Sequence, residues 1–183
     1  LTSHESRLRL WGFIGQPGVS RSTREDQHVF VNKRPVENRG LNFALNASLW
    51  TIAMPILVYG NDEQKRRFLP GLCDGRLFGA NAASEPESGS DIFSMTTRAE
   101  RKGDHWVLNG RKIWITGGPV ADLILAFATT DPARGVLGIS AFLIPADTPG
   151  FHVVRSIDKM GMRTAPMGEL VFEACELPAN ALL

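Results

Sequence analysis

Hydrophobic and polar positions divide this chain into three textures. Over residues 7–14 and 27–32 apolar side chains alternate with polar ones, which predicts two strands, with Gln16-Pro17-Gly18 as a turn. Strand-like pieces with no covering helix cannot bury a core by themselves. From Leu41 the period changes: Leu41, Ala44, Leu45, Leu49, Ile52, Ala53, Ile56 and Leu57 recur at three- and four-residue spacing, one apolar face of a helix. Pro55 is expected to kink that helix or end its first section. Asn61 followed by Asp62, Glu63 and Gln64 reads as an N-cap with acidic first-turn residues, opening a second helix that is expected to stop at Pro70-Gly71.

After Arg76 the texture is β, with strands predicted over residues 77–83, 95–101, 105–108, 111–116, 123–130, 139–144, 151–155 and 170–172. Lys102-Gly103-Asp104, Asn109-Gly110, residues 131–138 and Thr148-Pro149-Gly150 separate them with turn chemistry. Asn-Gly is the strongest short hairpin signal, so 111–116 is expected to fold back on 105–109. The fold class is therefore mainly β with N-terminal α, as a closed or two-sheet β domain.

A chain of 183 residues is long enough for one core, and 43% hydrophobic with 21% charged residues places it among ordinary folded proteins. The net charge of +1 excludes a basic nucleic-acid footprint over the whole molecule, so nucleic acid is not an expected partner. Charge is nevertheless uneven: residues 1–45 hold seven Lys/Arg against four Asp/Glu, and the rest hold thirteen against fifteen. The longest apolar stretch, 49–59, is interrupted by Thr51 and Pro55 and falls short of the roughly 20 residues of a membrane span. His4, Glu5, Arg7 and Arg9 stand where a secretory signal would be apolar, so the expected location is cytoplasmic. Cys73 and Cys175 are expected to be two reduced core thiols, and the four histidines show no metal-ligand spacing.

Two segments could carry chemistry. Residues 84–91, Ser-Glu-Pro-Glu-Ser-Gly-Ser-Asp, read either as an acidic surface turn or as a rigid loop presenting N–H groups and hydroxyls to an anion or a polar ring edge. The Walker phosphate-loop pattern is not there. Trp114-Ile115-Thr116-Gly117-Gly118 ends a strand with an aromatic face, a hydroxyl and two glycines: either Trp114 is core packing at a barrel rim, or a flat heterocycle sits against it. No Ser-His-Asp or Cys-His set stands near either segment.

These segments and their separation resemble the acyl-CoA dehydrogenase family. The landmarks are Tyr59-Gly60 with Glu63-Gln64-Lys65, Phe68-Leu69-Pro70, Glu85-Pro86 with Gly89-Ser90-Asp91, Asn109-Gly110-Arg111-Lys112, Trp114-Ile115-Thr116, Thr148-Pro149-Gly150 and Met160-Gly161-Met162-Arg163. The resemblance covers residues 45–183 and divides them at 76/77: helices closing an N-terminal domain (46–76), then a middle β-barrel domain (77–183). It implies an FAD enzyme that takes a Cα proton and a Cβ hydride from an acyl-CoA or acyl-carrier-protein thioester, in a parent family that forms homo-oligomers.

By the same resemblance, Asn81, Ala83 and Ser84 lie along the flavin ring edge. Gly89 and Ser90 approach the pyrophosphate, with Ser90 also near the thioester. Trp114 and Ile115 cover the ring, and Thr116 donates near N5, where a donor stabilises the density developing on reduced flavin. Gly117 stands where the family commonly has Asn. The family's catalytic carboxylate belongs to a C-terminal helical bundle beyond the stretch matched here, so no catalytic residue is assigned and these residues are expected to be inactive alone.

Residues 1–45 resemble instead part of a MutL-type mismatch-repair protein, through Gly12-Phe13-Ile14-Gly15-Gln16-Pro17-Gly18-Val19-Ser20-Arg21-Ser22, the run from Gln27 through Asn32, and Arg34-Pro35-Val36. The whole then reads as a chimera of two fragments, with an alternative as a repair-associated module or an inactive interaction chimera.

Overall fold

The structure, a computed structural model, describes Val29–Val31, Arg34–Val36, Phe43 and residues 46–183. The strand expected at 7–14 lies outside the described residues. Strands β1 (Val29–Val31) and β2 (Arg34–Val36) form an antiparallel ribbon in which Val29 faces Val36 and Val31 faces Arg34.

The first helix is continuous across Pro55. A π-helical turn over Leu49–Ala53, in which the Met54 N–H reaches the Leu49 carbonyl, leads directly into α1 (Met54–Tyr59). The expected break is absorbed because the widened π-turn immediately precedes Pro55, whose missing N–H falls where the bonding changes from π to α. Helix α2 (Asp62–Cys73) starts as its sequence predicts, with a reciprocal capping box: Gln64 N–H donates to Asn61 Oδ1, and Asn61 N–H to Gln64 Oε1, both at 2.9 Å. It runs past the expected stop at Pro70-Gly71, since the proline sits in the final turn, and the Asp74 N–H closes on the Pro70 carbonyl.

Seven strands form one sheet, curled into a half-barrel, which with the helices before it is the mainly β fold with N-terminal α that the sequence predicts. They are β3 (Gly79–Ala82), β4 (Arg98–Lys102), β5 (His105–Thr116), β6 (Leu123–Thr129), β7 (Ile139–Pro145), β8 (Phe151–Ser156) and β9 (Met167–Pro178). β7 covers one edge of β6 antiparallel. The other edge is shared by two parallel strands: β3 pairs along Leu123 to Ala126, and β4 touches only at Arg98 against Thr129. From β4 the order continues through β5 and β9 to β8. The chain joining β3 to β4 therefore leaves the sheet between β6 and β5.

The hairpin expected at Asn109-Gly110 is corrected. β5 runs straight through both residues, and its first half pairs with β4 across the tight Gly103-Asp104 turn, Lys102 opposite His105. Asn109-Gly110 faces a bulge in β9, where the register jumps from Leu108/Cys175 to Gly110/Phe172. Asn109 Oδ1 accepts the Ala174 N–H there at 2.8 Å, and a Cβ on Gly110 would collide with the Thr97 side chain. Both residues were read as turn formers, but here one satisfies a bulge and the other permits a close approach.

β6 reads as an unbroken apolar run because both its faces are buried. Ile124 and Ala126 join Ala80, Ala82, Leu108, Phe142, Leu170 and Phe172 on the inner face. Leu123 and Leu125, with Leu143, pack against Ile52, Ile56, Phe68 and Leu72 of the helices. Each such large side chain contributes about 1.5–3 kcal/mol on burial. Gly79 lets the helix approach, since a Cβ there would press into Ile52, and its N–H donates to Ser48 Oγ at 2.8 Å. Both cysteines are free thiols, but only Cys175 is in the core; Cys73 is exposed at the end of α2.

Candidate functional site

The fork between β3 and β4 is held by a buried ion pair. Lys112 of β5 faces inward opposite Leu170, and its Nζ donates to Glu85 Oε1 at 2.8 Å and to the Ala83 carbonyl at 3.2 Å. Neither side chain reaches solvent. The Glu85 carboxylate also accepts the Thr96 N–H (2.5 Å), the Thr96 hydroxyl (2.8 Å) and the Thr97 N–H (3.1 Å). Burial alone would raise the Glu85 pKa, but hydrogen bonds from Lys112, Thr97 and Thr96 together outweigh it and hold the group at about 2. Loss of water pulls the Lys112 pKa below 10.5, and Glu85 offsets only part of that. Thr97 Oγ1, buried under Gly110, has no hydrogen-bond partner among the described residues.

Beside this pair the Ile113 N–H donates to the Ser84 carbonyl at 3.0 Å, which sets the chain leaving β3 alongside the end of β5. β5 then carries an extra residue relative to β9: Lys112 pairs with Leu170 and Ile115 with Gly168. Strict alternation from the inward Lys112 would have sent Trp114 into the core. The extra residue, taken up at Trp114 with φ 62°, keeps the indole outside at 58% exposure and turns Ile115 into the core at 2%. The core-packing reading of Trp114 is thereby corrected. A bulky residue in the left-handed region is a strained conformation, maintained by the pairing on either side.

Of the residues singled out from sequence, Ser84 is tied to this strand end by the Ile113 bond, Trp114, Ile115 and Thr116 are the strand end itself, and the others lie along β3 and the loop that follows it. Asn81 on β3, and Ala83 and Ser84 just beyond it, are half-buried; Gly89 and Ser90 are exposed on the loop, with open space where a Gly89 Cβ would stand. Thr116 is half-buried, while Ile115 can offer a ligand only its main chain. Among the described residues the hydroxyls of Ser84, Ser90 and Thr116 and the Asn81 amide engage no other group. Uncommitted hydroxyls beside an outward indole suit a flat, polar-edged ring carrying an anionic tail. At Gly117, φ 76°, a Cβ would meet Phe78 Cε1 at 2.5 Å, so Phe78 occupies the space a larger residue would need.

Sequence reading left Glu85, Lys112 and Thr97 without a role. Their one local signal is a lysine in register with buried apolar positions of a strand, a placement that demands a partner. A cleft of about 340 Å³ between α2 and the turn after β7 includes none of the residues around Trp114. Among the described residues no group of three or more His, Cys, Asp or Glu side chains could hold a metal, and no helix is long and apolar enough to cross a membrane.

Comparison with known proteins matches residues 80–175 to the acyl-CoA dehydrogenase middle domain and 34–76 to the acyl-CoA dehydrogenase N-terminal domain. Residues 1–54 match a DNA mismatch repair protein C-terminal domain. The mitochondrial isovaleryl-CoA dehydrogenase of Pongo abelii is 47% identical over 68% of this chain and 30% of its own length. The L-prolyl-[peptidyl-carrier protein] dehydrogenase of a Serratia strain is 42% identical over 77% of this chain and 36% of its own. Butyryl-CoA dehydrogenase from Megasphaera elsdenii superposes with a TM-score of 0.77 at 39% identity, covering 79% of this chain and 38% of that one. The chain thus spans about a third of the length of the curated relatives it matches.

Proposed function

This chain belongs to the acyl-CoA dehydrogenase family, and from that premise we propose that its β domain supplies the flavin-facing wall of an enzyme that desaturates an acyl thioester. The observation that carries the reading is the outward Trp114, held on its bulge one residue beyond Ile113, whose N–H is bonded to the Ser84 carbonyl, with the hydroxyls of Ser84 and Thr116 unengaged among the described residues. Bound FAD would supply the acceptor for the hydride leaving Cβ. Trp114 packs on the ring and keeps water from it, while Ser84, Asn81 and Thr116 offer hydrogen bonds at the ring edge. The Gly89-Ser90 segment, open and unencumbered, meets the pyrophosphate and the thioester. The carrier is coenzyme A or an acyl-carrier protein, since relatives named for both chemistries are comparably similar.

Proton abstraction needs a positioned carboxylate, and among the described residues of this wall none is held for it: Glu87 is exposed and bonded to nothing. Glu85 is committed to Lys112, Thr96 and Thr97, and Asp91 is bonded to Ser94. Taken alone, these 183 residues are therefore a flavin-binding but inactive part of the enzyme; a positioned general base is worth about 10²–10⁴-fold in rate. The test is flavin titration followed by anaerobic mixing with acyl-CoA thioesters of several chain lengths. Flavin uptake without bleaching is expected, and bleaching at enzyme-like rates overturns the assignment. Self-association belongs to the same reading and is checked by sedimentation.

A second reading concerns the N-terminal segment. The mismatch-repair match over 1–54 overlaps the acyl-CoA dehydrogenase match from residue 34, and the surplus of basic residues lies in 1–45. These favour a chimera whose first segment comes from a repair protein. Salt-dependent retention on DNA would support a repair role, and passage through the column at low salt would remove it.

A further inference from the structure

Three segments make up the proposed flavin wall: residues 81–84, the loop 85–97, and 113–116. The first two run on from one another and are bonded to one pair of side chains, Lys112 and Glu85; the third follows Lys112 in the chain and is bonded to Ser84. Lys112 Nζ holds the Ala83 carbonyl and the Glu85 carboxylate, one residue to either side of Ser84. The Ser84 carbonyl itself takes the N–H of Ile113, the residue between Lys112 and Trp114. The same carboxylate receives the N–H groups of Thr96 and Thr97, so the loop bearing Gly89 and Ser90 is closed at both ends on Glu85. A second bond closes it nearer its start, from Glu85 N–H to the Ser88 carbonyl at 2.8 Å.

We infer that Lys112 and Glu85 are positioning residues for the flavin wall, setting the Ser84 edge, the Gly89-Ser90 loop and the Trp114 bulge in one fixed arrangement before any ligand arrives. The inference rests on the flavin reading given above. Placing a charged pair at a strand fork removes two ions from water, which apolar side chains of similar volume would avoid. What apolar side chains could not do is bind the main chain at the start of the loop and, through one carboxylate with two oxygens, the main chain at its end. Preorganisation of this kind lowers the ordering cost of binding and is read as ligand affinity.

The experiment uses the 183-residue chain with Lys112→Met, Glu85→Gln and the double variant, which leaves no unpaired buried charge and stands in if a single variant does not fold. Leu125→Ala, in the helix-facing core, is the control for lost stability. Amide exchange is read without flavin, and flavin affinity by titration. In the double variant, exchange over residues 83–97 and 113–116 should rise at least tenfold while β6 stays protected, and flavin should bind at least tenfold more weakly. Leu125→Ala, though less heat-stable, should keep its flavin affinity. Unchanged exchange in those segments overturns the inference, as does an equal affinity loss in Leu125→Ala. A rise of exchange in the double variant together with no flavin uptake by the wild-type chain upholds the clamp and overturns the flavin reading instead.

Discussion

The Gln64 side chain, buried in α2, donates through its one amide nitrogen to the Leu182 carbonyl at 2.8 Å and to the Asn180 carbonyl at 2.9 Å. Its oxygen completes the cap of its own helix on the Asn61 N–H. One residue thus begins α2 and fastens it to the chain after β9. Gln64→Ala should lower unfolding free energy by about 1–3 kcal/mol, combining the lost half of the capping box with two carbonyls deprived of their donor. Urea unfolding with an unchanged m-value checks it; a loss under 1 kcal/mol would show the tie to be dispensable.

Acid should weaken the fold through Glu85. Its folded pKa, about 2, lies below the ordinary carboxylate value of 4.5. The unfolded chain therefore binds the proton more readily, and the stabilisation is fully present above pH 4.5 and lost as pH falls toward 2, about 3 kcal/mol in all. Comparing wild type with Glu85→Gln by melting temperature, the gap should be constant from pH 6 to 7 and narrow steadily below 4.5.

Asn109 and Gly110 should behave as bulge residues. Gly110→Val forces a side chain into Thr97 and is expected to cost at least about 3 kcal/mol. Asn109→Ala leaves the exposed Ala174 N–H to water in place of its acceptor, for about 0.5–1.5 kcal/mol. At a solvent-exposed hairpin tip, by contrast, Asn109→Ala would cost only a few tenths of a kcal/mol and Gly110→Val only the strain of a positive φ, about 1–2 kcal/mol, so thermal melts of both variants decide between the two.

Trp114 should separate binding from stability. The indole is largely exposed and its backbone sits at φ 62°, so Trp114→Gly relieves strain while losing little packing, and stability should stay within about 1 kcal/mol of wild type. Flavin affinity should fall at least tenfold, and Trp114→Phe should restore part of it. Unchanged affinity in the glycine variant would remove Trp114 from the site.

The two thiols should differ sharply. Cys73 is exposed, whereas burial pushes the Cys175 thiol up to about 11. A thiol reagent at pH 8 should label Cys73 in the folded chain and both residues in urea; rapid native labelling of Cys175 would mean that the β5–β9 region opens readily.

What this sequence determines by itself is what neighbours along the chain can settle. Asn61 caps α2 because its acceptor and the Gln64 amide are three residues apart, and Gly103 turns β4 into β5 because only φ matters at that point. The strands, the helices and the family resemblance were legible for that reason. Local chemistry also misled: Asn109-Gly110 has hairpin composition, yet β4 and β9 occupy both edges of β5, so straight pairing outweighs a turn. Whether Trp114 faces in or out depends on the register against β9, 53 residues away at Met167, because one extra residue in β5 inverts the faces beyond it. Lys112 finds Glu85 only once the parallel pairing of β3 and β4 with β6 has opened a fork in the sheet. Such relations between distant residues are decided by tertiary packing, since a period of two states which residues share a face but not which strand lies opposite them.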